Sequence, residues 1–231
     1  MALGLNGTWR RRMTYLLRLV ACLFLLISIQ SYSVEAGFPY TEQKLVPTPS
    51  SGNVNQKPSS VSLEAEAAVV GFYNSPYGEH SLTIYKKQND IWNTHTNFSA
   101  NQFFNDAENI QVAMSNNEVA AHNGLELVIL DIESSSWPSI SYTHHHPNNT
   151  QLAGLAKDGD TIVVGDLGNG NDYTGSAHVY TKENNSWVHS KIEFSEKEEN
   201  DQFGYSVAIH GDTLVIGVPF DDHLGTNTGS A

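Results

Sequence analysis

Residues 205–217 read YSVAIHGDTLVIG, and residues 153–165, which lie 52 positions earlier, read AGLAKDGDTIVVG. Two weaker copies of the same phrase occupy residues 59–71 (SSVSLEAEAAVVG) and 110–122 (IQVAMSNNEVAAH). The last positions of the copies follow one another in steps of 51, 43 and 52 residues. These positions are Gly71, His122, Gly165 and Gly217. Similarity at such a period is typical of repeated supersecondary units, so the repeat outweighs every local motif in predicting the fold.

Each copy predicts two short β-strands that are joined by a tight turn. Segments such as SVAI and TLVIG are short, rich in β-branched residues and roughly alternating, as strands are. Between them lies Gly211-Asp212 in the fourth copy, Gly159-Asp160 in the third and Asn116-Asn117 in the second. Glycine and asparagine accept the positive φ angles that hairpin turns require. Glu64-Ala65-Glu66, in the first copy, is a poorer turn sequence.

Three of the four tryptophans follow the same register. Trp92, Trp137 and Trp187 each stand seven residues after the end of an apolar run. The runs are SLTIY (81–85), ELVIL (126–130) and SAHVY (176–180). Each copy therefore predicts a third strand, a polar turn and a fourth strand that begins near the tryptophan. Four strands in about 40–50 residues match the size of one β-propeller blade.

The predicted fold class is all-β, a partial β-propeller of four-stranded antiparallel blades preceded by a signal peptide. The approximate blades span residues 38–95, 96–140, 141–190 and 191–231. The fourth blade is truncated, so the total is about three and a half blades, whereas closed propellers have about four to eight. An open ring leaves exposed sheet edges. We therefore expect further blades beyond Ala231, beginning with a sequence that resembles YVYxxxxxxW.

The fourth copy resembles a known repeat family. It reads Asp201-Gln202-Phe203-Gly204, then SVAI, then LVIGVP through Pro219. This pattern is similar to the FG-GAP repeat, which is named for Phe-Gly before the first strand and Gly-Ala-Pro after the second. The short variant found in secreted microbial and algal proteins is the most similar. The resemblance implies a propeller like the integrin α-chain head, whose loop faces bind ligands and perform no chemistry.

Residues 1–36 predict a secretory signal peptide. Arginines at positions 10–12 provide a positive n-region, residues 19–29 form an apolar core, and residues 34–36 (VEA) resemble a cleavage motif. The expected mature start is Gly37. An uncleaved signal anchor is the alternative, although this apolar stretch is short for spanning a bilayer. We expect a secreted, extracellular or cell-surface protein with no membrane insertion after cleavage.

The chain after residue 36 is acidic and contains neither arginine nor cysteine. Its eight lysines stand against 24 carboxylates, which gives a net charge of −16. Nucleic-acid binding requires a basic surface, so we expect no nucleic-acid partner. Without cysteine, an exported chain cannot use disulfides, and its stability must come from β-packing. The expected partner is a protein or carbohydrate ligand.

His144-His145-His146 is the pattern that most suggests a metal site. On an extended chain only His144 and His146 share a side, and a metal site needs further ligands at compatible geometry. The following residues, Pro147-Asn148-Asn149, indicate a surface loop. The sequence also contains no readable nucleophile–base pair, phosphate-binding glycine loop or HExxH motif. We therefore predict no catalytic residue, no cofactor and no metal at these histidines.

The loops after the second strands contain oxygen ligands and are weak calcium candidates. The resemblance to integrin-type FG-GAP blades implies calcium binding in a loop between the first two strands. In this chain only a short turn lies between those strands. Such a turn cannot wrap an ion that takes about six to eight oxygen ligands. Ordinary turn chemistry explains the longer loops equally well, so we expect calcium removal to change the melting temperature little. The candidate ligands are Asp166, Asn169, Asn171, Asp172, Asp221 and Asp222.

Residues that recur between copies are interpreted as structural. A side chain that recurs at one phase of every blade packs between neighbouring sheets, and a glycine in a strand lets two backbones approach closely. Function is expected in the loops that differ, residues 72–80, 166–175 and 218–229. The structural motif residues are Phe203, Gly204, Gly217, Pro219, Trp92, Trp137 and Trp187.

Three functions fit these observations. The favoured one is a non-enzymatic binding or adhesion module that presents loops on a repeat scaffold. The second is the N-terminal propeller part of a secreted enzyme of the polysaccharide lyase or glycoside hydrolase type, which would need an acid and a base from carboxylates on one face. The third is a purely structural segment of a larger surface protein.

Overall fold

The structure, a computed structural model, is all-β in the residues it describes, apart from a single turn of 3-10 helix at Ala100–Gln102. Three antiparallel sheets have four strands each, and a further hairpin has two. This arrangement confirms the predicted fold class, a partial β-propeller. The described residues are 32–33, 41–43, 45, 57–73, 80–104, 110–133, 139–146, 151–168, 172–196 and 198–231. The predicted signal peptide lies outside them, apart from Tyr32–Ser33.

Among these residues, none forms a helix long and apolar enough to cross a bilayer.

Sheet 1 follows a two-residue ribbon made of β1 (Tyr32–Ser33) and β2 (Thr41–Glu42). The sheet contains β3 (Lys57–Glu64), β4 (Ala67–Tyr73), β5 (Ser81–Gln88) and β6 (Ile91–Ser99), paired in chain order. Gln43 forms two hydrogen bonds with the backbone of Trp92, and Leu45 packs against the same face. Gln43 and Leu45 therefore contact the face of sheet 1 that is turned away from sheet 2.

Sheets 2 and 3 repeat this order. Sheet 2 contains β7 (Gln111–Ser115), β8 (Glu118–His122), β9 (Glu126–Asp131) and β10 (Ser139–His145). Sheet 3 contains β11 (Leu152–Asp158), β12 (Thr161–Asp166), β13 (Ser176–Glu183) and β14 (Ser186–Ile192). The last hairpin joins β15 (Ser206–His210) to β16 (Thr213–Gly217). Each outer strand extends a few residues past the approximate blade limit because it pairs along the whole of its neighbour, as β14 does with β13.

The turns between first and second strands form where the sequence predicts them. Asn116 and Asn117 have φ angles of 54° and 58°, and Gly159 and Gly211 each have a φ angle of 53°. These positive values are the ones that two-residue hairpin turns require. The poorer turn sequence Ala65-Glu66 also closes its hairpin, since Glu64 pairs with Ala67.

The sheets pack face against face in chain order, and the core lies in the interfaces between them. Sheets 1 and 2 share one apolar cluster, sheets 2 and 3 a second, and sheet 3 shares another with the last hairpin. In the second of these interfaces, side chains from β8 and β9 meet side chains from β12 and β13. Its fully buried members are Ala120, Leu127, Ile129, Ile162, Val164 and Tyr180.

The first strands of the copies lie side by side, so that β3 contacts β7, β7 contacts β11, and β11 contacts β15. A hydrogen bond repeats at each of these junctions. The side chain that ends one first strand accepts the N–H of the turn residue in the next copy, which links neighbouring hairpins. The pairs are Glu64 with Asn116 (2.9 Å), Ser115 with Gly159 (2.9 Å) and Asp158 with Gly211 (2.7 Å).

In the first three copies, the last residue of the repeated phrase meets the front of the next copy. A Cβ atom on Gly165 would overlap the backbone of Gly204, which itself has a φ angle of 95°. Backbones can approach this closely only because both residues are glycine. His122 replaces glycine in the second copy, and its Nε2 atom lies 3.1 Å from the carbonyl oxygen of Ala153. The ring therefore bridges sheets 2 and 3.

Trp92 and Trp187 occupy equivalent positions. Each is the second residue of an outer strand, and the residues opposite them are Lys87 and Lys182. Trp187 packs into the interface with sheet 2, and Trp92 lies on the corresponding face of sheet 1. The third member of the predicted series, Trp137, lies outside the described residues.

Candidate functional site

The interface between sheets 2 and 3 contains a cluster of histidines and tyrosines at one edge. Alternation along β10 and into the residue that follows it places His144 and His146 on the same side, with ring centroids 4.6 Å apart. His145 points to the opposite side, where its Nδ1 atom lies 2.8 Å from Glu126 Oε1. Sheet 3 contributes the remaining side chains through the same period of two. These are Asp166 from β12, His178 and Tyr180 from β13, and His189 from β14.

Hydrogen bonds connect this cluster in two branches. His178 Nε2 lies 3.3 Å from Asp166 Oδ2, and His178 Nδ1 lies 2.8 Å from His189 Nε2. In the other branch, the hydroxyl of Tyr180 lies 3.0 Å from His146 Nε2. The second ring nitrogen of His146, Nδ1, is buried and has no hydrogen-bond partner in the described part of the chain. The two branches are in contact, since the rings of His146 and His178 are 4.7 Å apart.

Burial sets the protonation states of the cluster. Desolvation lowers the pKa of His146 to about 3 and also lowers the pKa of His144. Burial acts to raise the pKa of Asp166, but hydrogen bonds from His178 and from the N–H of Gly168 outweigh it, and the pKa is lowered. At neutral pH His146 is therefore uncharged and Asp166 is a carboxylate, which are the forms that donate lone pairs to a ligand.

Three members of the cluster lie within range of a common metal ion. His146, Asp166 and His178 each offer one ligand atom, and these atoms lie within 4.8 Å of one another. All three side chains are buried. Within the described ranges, no other set of three histidine, cysteine or acidic side chains comes this close. Two imidazoles and one carboxylate form a ligand set that is common for first-row transition metals.

A buried ion network lies in the same interface, near the hairpin turns. Glu118 accepts a 2.6 Å hydrogen bond from Lys182 Nζ and lies 3.4 Å from Lys157 Nζ. Both ammonium groups lie over the ring of Trp187, at 5.7 Å and 5.6 Å from its centroid. Desolvation lowers the pKa of Lys157, whose side chain is fully buried, whereas the hydrogen bond to Glu118 raises the pKa of Lys182. This network links sheets 2 and 3.

Asp166 and Asp172, two calcium candidates of the first long loop, have different surroundings in the structure. Asp166 Oδ2 faces the histidine cluster, because Asp166 ends β12 on the side turned toward sheet 2, and its Oδ1 accepts the N–H of Gly168 at the start of the loop. Asp172 is exposed, and its carbonyl oxygen accepts the N–H of Asn200 at 2.7 Å. Asn169 and Asn171 lie outside the described residues.

The second candidate loop shows ordinary turn chemistry. Asp221 Oδ1 accepts the N–H of His223 at 3.0 Å, and the carbonyl oxygen of Asp221 accepts the N–H of Gly229 at 2.9 Å. Asp222 is exposed, and its carbonyl oxygen accepts the N–H of Gly225 at 2.9 Å. These contacts stabilise the loop from within.

The residues of the Phe-Gly motif lie between sheet 3 and the last hairpin. The ring of Phe203 stacks on Phe194, with centroids 5.5 Å apart and planes inclined by 7°. Gly204 lies against Gly165, as described above, and a Cβ on Gly217 would overlap the hydroxyl of Ser206. Pro219 follows β16 and is half-buried.

Sequence reasoning missed His178 and His189 as partners of the histidine run, and its prediction of no metal at these histidines rested on the lack of further ligands. The period of two carried a usable signal, because His178 shares a side with the buried repeat residue Tyr180, and His189 shares a side with Trp187. Trp187 was predicted to pack between sheets, and Tyr180 ends the recurring apolar run SAHVY. Placing the histidines relative to them would have put His178 and His189 in the interface that His144 and His146 enter from sheet 2.

Comparison with known proteins supports the repeat and the fold. The sequence profile of the FG-GAP repeat matches residues 188–231. No curated protein matches the chain. A solved protein from Lactobacillus plantarum, a structural-genomics target, is similar in structure, with a TM-score of 0.53 and 13% sequence identity. The similarity covers 74% of this chain and 51% of that protein, so the chain spans about half its length. The resemblance of the fourth copy is thus confirmed: residues 188–231 match the FG-GAP repeat and form part of a partial β-propeller.

Proposed function

We propose that this protein is a non-enzymatic binding or adhesion module, secreted or held at the cell surface, that presents loops on its propeller scaffold. The observation that carries the proposal is the loop after β16. Leu224 is 86% exposed at this loop and Phe220 is 40% exposed. The internal hydrogen bonds of Asp221 and a pair of backbone bonds between Val218 and Ser230 hold the loop in place.

A loop that is ordered before binding loses little conformational entropy when a partner covers it. The free energy gained by burying its exposed apolar side chains then contributes to the affinity. The recurrent residues of the copies lie in the interfaces between sheets, so the variable loops are the surface available for recognition. The acidic surface favours a protein or carbohydrate ligand over a nucleic acid.

Screening the chain against protein and glycan arrays tests the binding function. For any ligand found, Leu224→Ser is expected to weaken binding at least about tenfold, which corresponds to about 1.4 kcal/mol. Val188→Ser is the matched control, because Val188 is also an exposed apolar residue but lies on the outer strand of sheet 3. Equal losses in the two variants would show that this loop is not the recognition surface, and the absence of any ligand would contradict the proposal.

The enzymatic alternative has its own test. Polysaccharides incubated with the chain are expected to remain intact, without new reducing ends or unsaturated products. Release of either product would overturn the non-enzymatic part of the proposal and favour the lyase or glycoside hydrolase alternative. Export is tested separately by recovering the protein from the medium or cell surface and sequencing its N-terminus, which is expected to begin at Gly37.

A further inference from the structure

We propose that His146, Asp166 and His178 bind one divalent transition-metal ion of the zinc type, and that this ion fastens sheet 2 to sheet 3. His146 follows the outer strand of sheet 2, whereas the other two ligands belong to sheet 3. A metal ion at this point would therefore connect two successive blades. This inference is independent of the binding function proposed above.

The geometry is close to what a small tetrahedral site needs. Zinc–nitrogen and zinc–oxygen bonds of about 2.0–2.2 Å place neighbouring ligand atoms about 3.4 Å apart. His178 Nε2 and Asp166 Oδ2 are already 3.3 Å apart. The ligand atoms of all three residues lie within 4.8 Å of one another, so His146 has to move by about 1.4 Å to reach the spacing of a tetrahedral site.

The remaining ring nitrogens have the partners that metal-bound histidines usually have. The nitrogen of such a histidine that does not bind the metal generally donates to a neighbouring acceptor, which orients the ring. His178 Nδ1 has this contact with His189 Nε2 at 2.8 Å. His146 Nε2 has it with the hydroxyl of Tyr180 at 3.0 Å. The buried Nδ1 of His146, which has no hydrogen-bond partner among the described residues, is then available for the ion.

The donor types select the class of metal. Imidazole nitrogens suit zinc and its first-row neighbours, whereas calcium and magnesium prefer a shell made of oxygen atoms. Two imidazoles and one carboxylate leave a fourth position for water or for a further side chain. His189 is exposed, so the cluster reaches the solvent at its outer edge and an ion can enter without unfolding of the interface.

Zinc titration of the full chain tests the site. The protein is first freed of metal with a chelator and the chelator is then removed. Calorimetry is expected to show saturation at about one zinc ion per chain, and the melting temperature is expected to rise with zinc, because a ligand of the native state stabilises it. Calcium at the same concentration is expected to change the melting temperature little. The absence of saturable zinc binding would overturn the proposal.

Two variants and a control locate the ion. His146→Gln and Asp166→Asn are each expected to weaken zinc binding by at least about tenfold. His145→Gln is the matched control, since this neighbouring histidine points to the opposite side and its side chain is 65% exposed. It should bind zinc like the parent protein. If His145→Gln weakens binding as much as His146→Gln, the ion binds at surface histidines and the proposal is wrong.

Cobalt spectroscopy on the unaltered chain gives an answer that does not depend on whether the variants fold. Cobalt(II) in a tetrahedral site of nitrogen and oxygen ligands absorbs visible light strongly, whereas the hydrated ion absorbs weakly. We expect strong absorption after one equivalent of cobalt, and its loss when zinc displaces the cobalt. A spectrum that remains that of the hydrated ion would overturn the proposal.

Discussion

At the residue scale, the hydrogen bonds of His122 depend on the charge state of its ring. The ring is 1% exposed. Its Nε2 atom donates to the carbonyl oxygen of Ala153 at 3.1 Å, and its Nδ1 atom accepts the N–H of Gly124 at 3.2 Å. These partners fit only the neutral ring with its proton on Nε2, since a second proton would face the N–H of Gly124. Desolvation lowers the pKa of His122 to about 4, although the Ala153 carbonyl opposes this shift.

This pKa predicts a loss of stability in acid. Between about pH 6.5 and pH 4 the unfolded chain takes up a proton at His122 that the folded chain does not, so the stability present above pH 6.5 falls as the pH falls. The total loss from this residue is about 3 kcal/mol. His122→Gln removes this titration, so the difference in unfolding free energy between the two proteins should shrink by this amount between pH 7 and pH 4. Denaturant unfolding at a series of pH values measures it, and a constant difference would contradict the prediction.

Gly204 predicts a steric effect at the junction between sheet 3 and the last hairpin. Alanine at this position has to adopt a φ angle of 95° and would overlap the carbonyl oxygen of Ser176. We expect Gly204→Ala to lower the free energy of unfolding by about 2–4 kcal/mol. Gly124 is the matched control, because its φ angle is 97° and no atom lies within 4 Å of an added Cβ. Gly124→Ala should cost only about 1–2 kcal/mol; equal losses in thermal melts would argue against the close approach.

At the scale of the elements, the hairpins are linked by the hydrogen bond that ends each first strand. Asp158 accepts the N–H of Gly211 at 2.7 Å. Asp158→Ala is expected to lower the unfolding free energy by about 1 kcal/mol, because the turn N–H loses its protein acceptor. Asp212→Ala in the same turn is the control, since Asp212 is exposed, and it should change stability by less than about 0.5 kcal/mol. Denaturant melts that show no difference between the variants would mean that the repeated link contributes nothing.

The ion network between sheets 2 and 3 predicts a larger effect. Glu118→Gln would leave the ammonium group of Lys157 buried without its charged partner. We expect the free energy of unfolding to fall by about 3 kcal/mol. The control is Glu193→Gln, which alters a 2.8 Å ion pair with Lys191 on the surface. That change should cost less than about 1 kcal/mol, and chemical denaturation of both variants measures the contrast. Similar small losses would show that the buried network is not a stabilising link.

At the scale of the whole molecule, each sheet packs on its neighbours in the chain, as in other repeat proteins. Stability in such a stack depends on how completely each sheet is covered. β8 and β9 are buried along nearly their whole length between sheets 1 and 3, whereas half of the side chains of β15 and β16 are exposed.

This difference in burial predicts uneven local stability. Hydrogen exchange measured by mass spectrometry should show the slowest exchange in β8 and β9 and clearly faster exchange in β15 and β16, because strands with fewer buried contacts open more easily. Uniform exchange across these four strands would mean that the described residues unfold as one cooperative unit.

The repeated phrase and its turns were enough to predict the sheets from the sequence. Strand pairing here is local, because each strand pairs with the next along the chain and the turn residues sit between them. Alternation within strands also predicted that His144 and His146 share a side while His145 does not. These features depend only on the period of the strand and on φ preferences, both of which are encoded in neighbouring residues.

What lies opposite a strand face was decided only by the tertiary structure. His146 meets His178 and Asp166 because the edge of sheet 2 packs on sheet 3 at one particular offset. Alternation along a strand predicts the side of the sheet on which a residue lies. It carries no information about the neighbour across the interface. That neighbour is set by how two whole sheets fit together, which depends on side-chain volumes across the core and on links such as Asp158 with Gly211.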